Sequence, residues 1–443
     1  MFMKNLIKEA VRRFVESSKS SKVQLISHFD TDGITSAAIM SKALSRARVN
    51  FSLKIVKSLN DDFVKSLPSE SLIMFLDLGS GSMQLFSHLK EVYIIDHHEI
   101  KTDFLPNTLL INPHLIGDRE ELCSAGIAYL FAKELDEKNK DLASLAVIGT
   151  VGDLVKNKGK LNNEILNDAE VVVKKGLLIY PATRPLDKAL EYSSSIFIPG
   201  ITGNSQGVLE LLKEAGIERE NGKFKPLLDL NEEETSKLIT SIFLRRKDYD
   251  NSEIIGDLYL VKFFNKLEDA RELSALINAS SRAGFSQTSL ALCLNNKEAK
   301  KEADKIHARY KQELIEALNS VASGIINKIE GRDYIILNAK DKIRDTMIGT
   351  VSSIIAFSQN YKEGTLIVGM SYNGDKIKVS MRIAGSFNGN GRKANELIGS
   401  VMKFLEGEWG GHASAAGCTI KKTDEEKFIE LLKKKLEVEV VQI

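Results

Sequence analysis

The chain is short of the residues that would staple or kink it. Three cysteines, Cys123, Cys293 and Cys418, occur in 443 residues. They are scattered without metal-like spacing and are too few for a disulfide framework, so a reducing, cytoplasmic setting is expected. Seven prolines and one tryptophan exclude a collagen-like or low-complexity chain. No apolar run reaches about 18 residues, so no membrane-spanning helix is expected. The opening MFMKNLIKEAVRRFVESSKSS reads as a charged amphipathic helix and lacks the apolar stretch of a signal peptide. Net charge is +1, which excludes a uniformly basic surface but not a local basic groove.

What is present is an ordinary globular composition, 43% apolar and 27% charged, in a length that suggests two or three domains. Residues 22–27, 51–56, 71–78, 91–96 and 107–112 are continuous apolar runs, the mark of strands buried on both faces. Helical stretches alternate with them, so the first part is expected to be α/β, a doubly wound parallel sheet. Helices are also expected at 204–217, closed by Gly216, and at 232–247. Residues 296–329 carry one long helical pattern, with apolar or small residues at 303, 306, 310, 314, 318, 321 and 325, read as a connecting helix. His88 and His307 fall on polar helix faces and are expected to be solvated. The last part reads as a smaller α+β domain, with a hairpin turning at Asn373-Gly374 and a later glycine-rich loop. The expected division is 1–195, 196–295, 296–329 and 330–443.

The strand ends carry the chemistry. In open α/β sheets ligands bind beyond the C-terminal ends of the strands. Here SHFDTDG supplies His28, Asp30 and Asp32, LDLG supplies Asp77, and DHH supplies Asp96, His97 and His98. A later GTVGDL adds Asp153. Taken singly, each has a plainer reading: Asp77 caps a turn, Asp30 and Asp32 form an Asx turn, Asp153 lies on a helix surface. His114 reads as a loop histidine and is left out of the ligand set. Jointly, so many like charges on one edge would repel and raise one another's pKa values. Divalent cations remove that conflict, and mixed carboxylate and imidazole ligands suit Mn²⁺ best, with Mg²⁺, Co²⁺ or Zn²⁺ also compatible. Two such ions would activate a water and stabilise the oxygens of an in-line attack on phosphorus.

These motifs, in this order, resemble the DHH phosphoesterase superfamily, and GGHASAAG at 410–417 resembles its associated C-terminal DHHA1 domain. PATRPLDKAL, IPGITGNSQGVLELLKEAGI and EDARELSALINASSRAG resemble the connecting region of archaeal RecJ-like nucleases. The resemblance implies two metals held by His28, Asp30, Asp32, Asp77, Asp96, His97 and Asp153, with Asp77 bridging. It implies that His98, beside the metals and with Asp96 and His97, serves the scissile phosphate. Gly410, Gly411, His412 and Arg382 would hold the substrate, together with Asn278 and Arg282. The function implied is a single-strand exonuclease on DNA or RNA that releases nucleoside monophosphates in replication or repair, with GINS as a possible partner by analogy. Two other readings stand beside it: a short-oligonucleotide or cyclic-dinucleotide phosphodiesterase, and a replication-fork scaffold with vestigial activity.

Overall fold

The computed structural model describes residues 2–100, 103–115, 121–155, 159–179, 181–193, 198, 200–246, 254–357, 361–385 and 392–441. In chain order the elements begin with α1 (Phe2–Ser18), β1 (Val23–His28), α2 (Thr31–Arg46), β2 (Phe51–Val56), α3 (Asp61–Lys65), β3 (Leu72–Leu76), β4 (Glu91–Ile95), β5 (Thr108–Ile111), α4 (Ser124–Leu135), α5 (Ala143–Gly152) and α6 (Lys160–Asp168). The middle adds β6 (Val172–Leu177), α7 (Leu186–Glu191), α8 (Ser205–Glu214), α9 (Glu232–Arg246), β7 (Ile255–Phe263), β8 (Lys266–Asp269), α10 (Ala270–Arg282) and α11 (Ser286–Cys293). After α12 (Lys297–Ala322) come β9 (Asn327–Glu330), β10 (Tyr334–Lys340), α13 (Asp345–Phe357), β11 (Leu366–Asn373), β12 (Lys376–Ile383), α14 (Ala394–Met402), β13 (Gly407–Gly411), β14 (Ala415–Lys421) and α15 (Glu425–Val441). No helix of the described residues is long and apolar enough to cross a membrane.

The chain forms two compact units that interleave in sequence. The first takes residues 1–176, 180–183 and 255–308; the second takes 177–179, 184–254 and 309–443. Residues 255–308 pack with the first unit although they follow 184–254, which belong to the second.

In the first unit five strands run in the order β2-β1-β3-β4-β5, and every pairing is parallel. The apolar runs are continuous because alternate residues bury on opposite faces. Leu72, Met74 and Leu76 join one core with α1, α2, α4 and α5, while Ile73 and Phe75 join the other with Val92 and Ile94. The order reverses between β1 and β3, and such a switch point opens a crevice at the strand ends.

The second unit contains a six-stranded sheet, β13-β14-β12-β11-β10-β9, parallel only between β10 and β11. α14 and α15 share a core with one face, and α13 with the other.

Four expectations are corrected here. The long helix stops at Ala322 rather than 329. Gly324 turns left-handed at φ +76° and the amide of Ile326 returns to the carbonyl of Ser320, a glycine-driven termination that overrides the apolar pattern. The hairpin turns at Gly374-Asp375, since Asn373 still pairs with Lys376. Residues 410–417 are not a loop: Gly410 and Gly411 end β13, and Gly417 lies inside β14. His307 is buried, at 7% exposure, because it stands one helical turn from Ala303 on the apolar stripe.

Candidate metal centre

The expected strand-end residues meet at the switch point. His28 is the last residue of β1, and Asp30 caps α2 by accepting from the Gly33 amide at 3.0 Å. Only glycine fits at 33, since a Cβ there would lie 2.3 Å from the His28 carbonyl oxygen. Asp77 follows β3 with φ +60°, a left-handed conformation that aspartate tolerates better than most residues. Asp96 and His97 follow β4, and Asp153 closes α5.

The Asp77 carboxylate divides between two groups. Its Oδ2 lies 3.2 Å from His28 Nδ1, which is 3.1 Å from Asp30 Oδ2. Its Oδ1 lies 3.6 Å from His97 Nε2 and 4.0 Å from His98 Nδ1. His97 Nε2 in turn stands 3.3 Å from Asp153 Oδ2 and 3.9 Å from Asp32 Oδ2. Three donor groups result, His28/Asp30/Asp77, Asp77/His97/His98 and Asp32/His97/Asp153, the ligand atoms of each within 4.8 Å of one another.

Asp96 is placed differently. Its Oδ1 accepts from His98 Nδ1 at 2.7 Å and from the His97 amide at 2.8 Å, and its Oδ2 from the Ser80 amide at 2.9 Å. Both oxygens are thus engaged behind His98, and Asp96 joins none of the three groups.

The charges are arranged against one another. Burial, and then Asp30, Asp32 and Asp96, push the Asp77 carboxyl well above its ordinary range. Burial with Asp32 and Asp30 pushes Asp153 up to about 8. Burial also opposes ionisation of Asp30 and Asp96, but the adjacent His28 and His98 rings outweigh it and hold both carboxyls low. Burial holds His97 below the usual imidazole value. For His98 burial is outweighed by Asp96, which raises it to about 9.

A divalent cation fits this edge. His97 Nε2 is buried with no hydrogen-bond partner, a rare state for a ring nitrogen unless something else occupies it. Hard carboxylate oxygens with neutral imidazole suit Mn²⁺ or Mg²⁺.

Sequence reasoning passed over the residues that aim these ligands. Ser124 opens α4. Its amide and that of Ala125 donate to Asp32 Oδ2 and Oδ1, both at 2.8 Å, while its hydroxyl donates to Asp77 Oδ1 at 2.9 Å. Asn112 reaches Ser80 Oγ and the His98 carbonyl, both at 2.9 Å. Gly149 lets α5 approach: a Cβ would lie 2.5 Å from Ala125 Cβ and 2.9 Å from Asp32 Oδ1. The available signals were the polar residue ending β5 and CSAG at a helix start. His114 is exposed, its amide on Asn112.

Asn278 and Arg282, on α10, also belong to the first unit. Arg282 Nε donates to Asn278 Oδ1 at 3.0 Å, and the guanidinium lies 5.8 Å from the centroid of Phe29, between His28 and Asp30. The remaining expected residues lie in the second unit. Gly410 pairs with Gly417 across β13 and β14. Arg382 ends near them on β12, opposite Ala415, and donates to Ser353 Oγ at 2.9 Å. His412 is exposed in the turn that follows Gly411.

Three family models match the chain: the DHH family N-terminal domain at residues 22–150, the DHH-CID domain at 180–252 and the DHHA1 domain at 331–438. An uncharacterized protein of Methanocaldococcus jannaschii is 28% identical over 424 residues, covering 92% of this chain and 91% of its own. The single-stranded-DNA-specific exonuclease RecJ of Bacillus subtilis is 30% identical over 166 residues, 34% of this chain and 21% of that protein. Among solved structures, RecJ of Thermus thermophilus in complex with Mn²⁺ matches with a TM-score of 0.62 at 18% identity, over 97% of this chain and 54% of that one. Cdc45 of Entamoeba histolytica matches with a TM-score of 0.66 at 13% identity, over 97% and 98%. The chain thus spans about half of the Thermus RecJ and a fifth of the Bacillus protein.

Proposed function

We propose that this chain, a DHH-family phosphoesterase with DHH, DHH-CID and DHHA1 domains, is a metal-dependent exonuclease on single-stranded DNA or RNA that releases nucleoside monophosphates. The observation that carries the reading is the divided Asp77 carboxylate, one oxygen facing His28 and Asp30 and the other facing His97 and His98. His28, Asp30 and Asp77 would hold one cation; Asp32, Asp77, His97 and Asp153 would hold a second. Two Mn²⁺ ions are the expected pair, and such ions activate a water and neutralise the charge that builds on a phosphodiester under attack.

The chain's own residues do the rest. Ser124 fixes which Asp77 oxygen serves which group. Asp96 keeps His98 Nδ1 occupied, so the other ring nitrogen is free to donate to a phosphate oxygen. On this reading Asp96, expected from sequence as a ligand, acts by positioning His98. Arg282, over Phe29, offers a second cation at the same edge. In the second unit Gly410 leaves backbone open to a phosphate, while Gly417 lets β14 lie close to the Val379 carbonyl of β12; His412 follows in the turn and Arg382 stands opposite Ala415. We retain the division of labour expected from sequence, with cleavage in 1–195 and strand binding in 330–443, and a cytoplasmic setting in replication or repair.

The likeness to Cdc45 supports a second reading, a replication-fork scaffold with GINS as partner. The full set of ligand residues favours a live site over a vestigial one, and a live nuclease is compatible with scaffolding. The test is Mn²⁺-dependent digestion of end-labelled DNA and RNA strands, short and long, beside Asp77→Ala. Stepwise mononucleotide release from long strands, absent in the variant, is expected. Cleavage confined to very short or cyclic substrates would replace this reading with the scavenging phosphodiesterase. No cleavage with any metal would leave the scaffold, which co-purification of GINS would support.

A further inference from the structure

The corner between α10 and α11 holds an aromatic ring in water. Phe285 is 50% exposed. A lone exposed phenylalanine is unremarkable by itself, but this one is not on a fraying segment. Its amide donates to the Ser280 carbonyl at 2.9 Å, and its carbonyl accepts from the Ser289 amide at 3.1 Å. Ser281 and Ser286 share a hydroxyl hydrogen bond of 3.0 Å, and Gly284, at φ +93°, makes the bend. The ring is presented by a fixed backbone.

Beside it lies a groove of about 710 Å³ between this corner and the edge strand β2. Lys54, Ser286, Gln287 and Thr288 line it together with Phe285 and Ile55, and among the described residues no carboxylate does. Leu53 and Ile55 present the groove side of β2, while the Lys54 ammonium turns to the other face, over the Phe63 ring at 4.6 Å. Both walls run to the metal edge. On β2, Ile55 stands beside Ser27 and Val56 beside His28. On α10, Arg282, three residues before Phe285, lies over Phe29.

We infer that this groove is a nucleobase subsite in which one base of a bound single strand stacks on Phe285, its backbone following Arg282 from the metal edge. The inference rests on the nuclease reading above and adds to it a defined path on the first unit. The chemistry fits the occupant: an open aromatic face, with hydroxyl and amide groups able to meet a base edge. Stacking of this kind is tolerant of sequence because every base has a π-face. The apolar ring takes the base and Arg282, toward the metal edge, takes a phosphate.

The test uses the full chain and a labelled oligothymidylate with phosphorothioate linkages, which resist hydrolysis, carrying one abasic residue moved stepwise along the strand. Wild type should show one position where base loss weakens binding about tenfold. Phe285→Ala should bind the intact strand about tenfold more weakly and be indifferent to base loss at that position. Phe285→Trp should restore the sensitivity, and Phe285→Leu, apolar without a π-face, should not. Mn²⁺ affinity measured on each variant reports an intact first unit. Equal abasic profiles for wild type and Phe285→Ala would overturn the subsite and leave the nuclease reading standing. Failure of wild type to bind any single strand would overturn both.

Discussion

The two regions that sequence marks for function are built on opposite principles. The metal edge of the first unit crowds side chains together: Asp32, Asp77 and Asp96 are almost completely buried, each held by donors that fix its direction. The β13–β14 hairpin of the second unit does the reverse and removes side chains, so that backbone is what it offers. One region stores electrostatic conflict that a cation resolves; the other bares its backbone at Gly410, where a Cβ would meet nothing within 4 Å. Residues in the first should therefore act on metal affinity and pH behaviour, and residues in the second on substrate affinity alone.

The largest test of that contrast is Asp77→Ala. It should abolish hydrolysis and the paired binding of Mn²⁺, with circular dichroism unchanged; a variant that still binds two ions would remove Asp77 as the shared ligand. Ser124→Ala should follow. Its amide still serves Asp32, but Asp77 Oδ1 loses its hydroxyl donor. Outer partners of this kind are worth about 10–100-fold in metal affinity, which calorimetric Mn²⁺ titration reads directly, and Ser124→Thr should recover most of it.

The third test is pH. The folded chain raises Asp77, and raises Asp153 from 3.8 to about 8, so without metal it binds more protons than the unfolded chain in that interval. The stability these carboxyls contribute is complete below the unfolded value and lost as pH climbs through the folded one. The thermal midpoint of chelator-treated protein should fall between about pH 4 and about pH 8, Mn²⁺ should abolish the fall, and Asp153→Asn should flatten it. A midpoint that rises across the same interval would contradict the arrangement of charges.

The smallest effect, and the sharpest contrast, lies at Gly410. A Cβ there meets nothing within 4 Å, whereas at Gly411, with φ +134°, it would lie 2.4 Å from the Ala415 carbonyl oxygen. Gly411 is needed by the fold and Gly410 is not. Gly410→Val should keep the melting temperature and Mn²⁺ affinity yet raise KM about tenfold, or about 1.4 kcal/mol. An unchanged KM would mean that the strand does not pass over this face.

Much of this was legible because the candidate ligands announce themselves. Aspartate and histidine ending apolar runs have no reason to lie there in a plain buried strand, and a parallel sheet brings such ends to one edge. Their supports were not legible. Ser124 at a helix start and Asn112 at a strand end are ordinary capping residues, and only the fold shows that they point at Asp32, Asp77 and His98. Asp96 reads as a ligand like its neighbours in sequence; the hydrogen bonds that engage both its oxygens belong to tertiary structure. The glycine-rich segment read as a loop because glycine disfavours strands, yet pairing with β12 imposes one. His307 read as solvated because polarity is a weaker guide than position on a helical stripe.

The chain order of the first unit has a consequence for how the protein is made. Thr31, at the start of the helix that carries Asp32, donates to the Ser274 carbonyl across 243 residues of sequence, and residues 184–254 go to the other unit in between. At a synthesis rate of about 5–20 residues per second, the nascent chain waits roughly 10–50 s between the emergence of that helix and its seat on α10. Every residue of the acidic edge, from His28 to Asp153, leaves the ribosome well before α10, so the strands and helices that carry it can meet first and the contact of Thr31 with Ser274 closes the unit last.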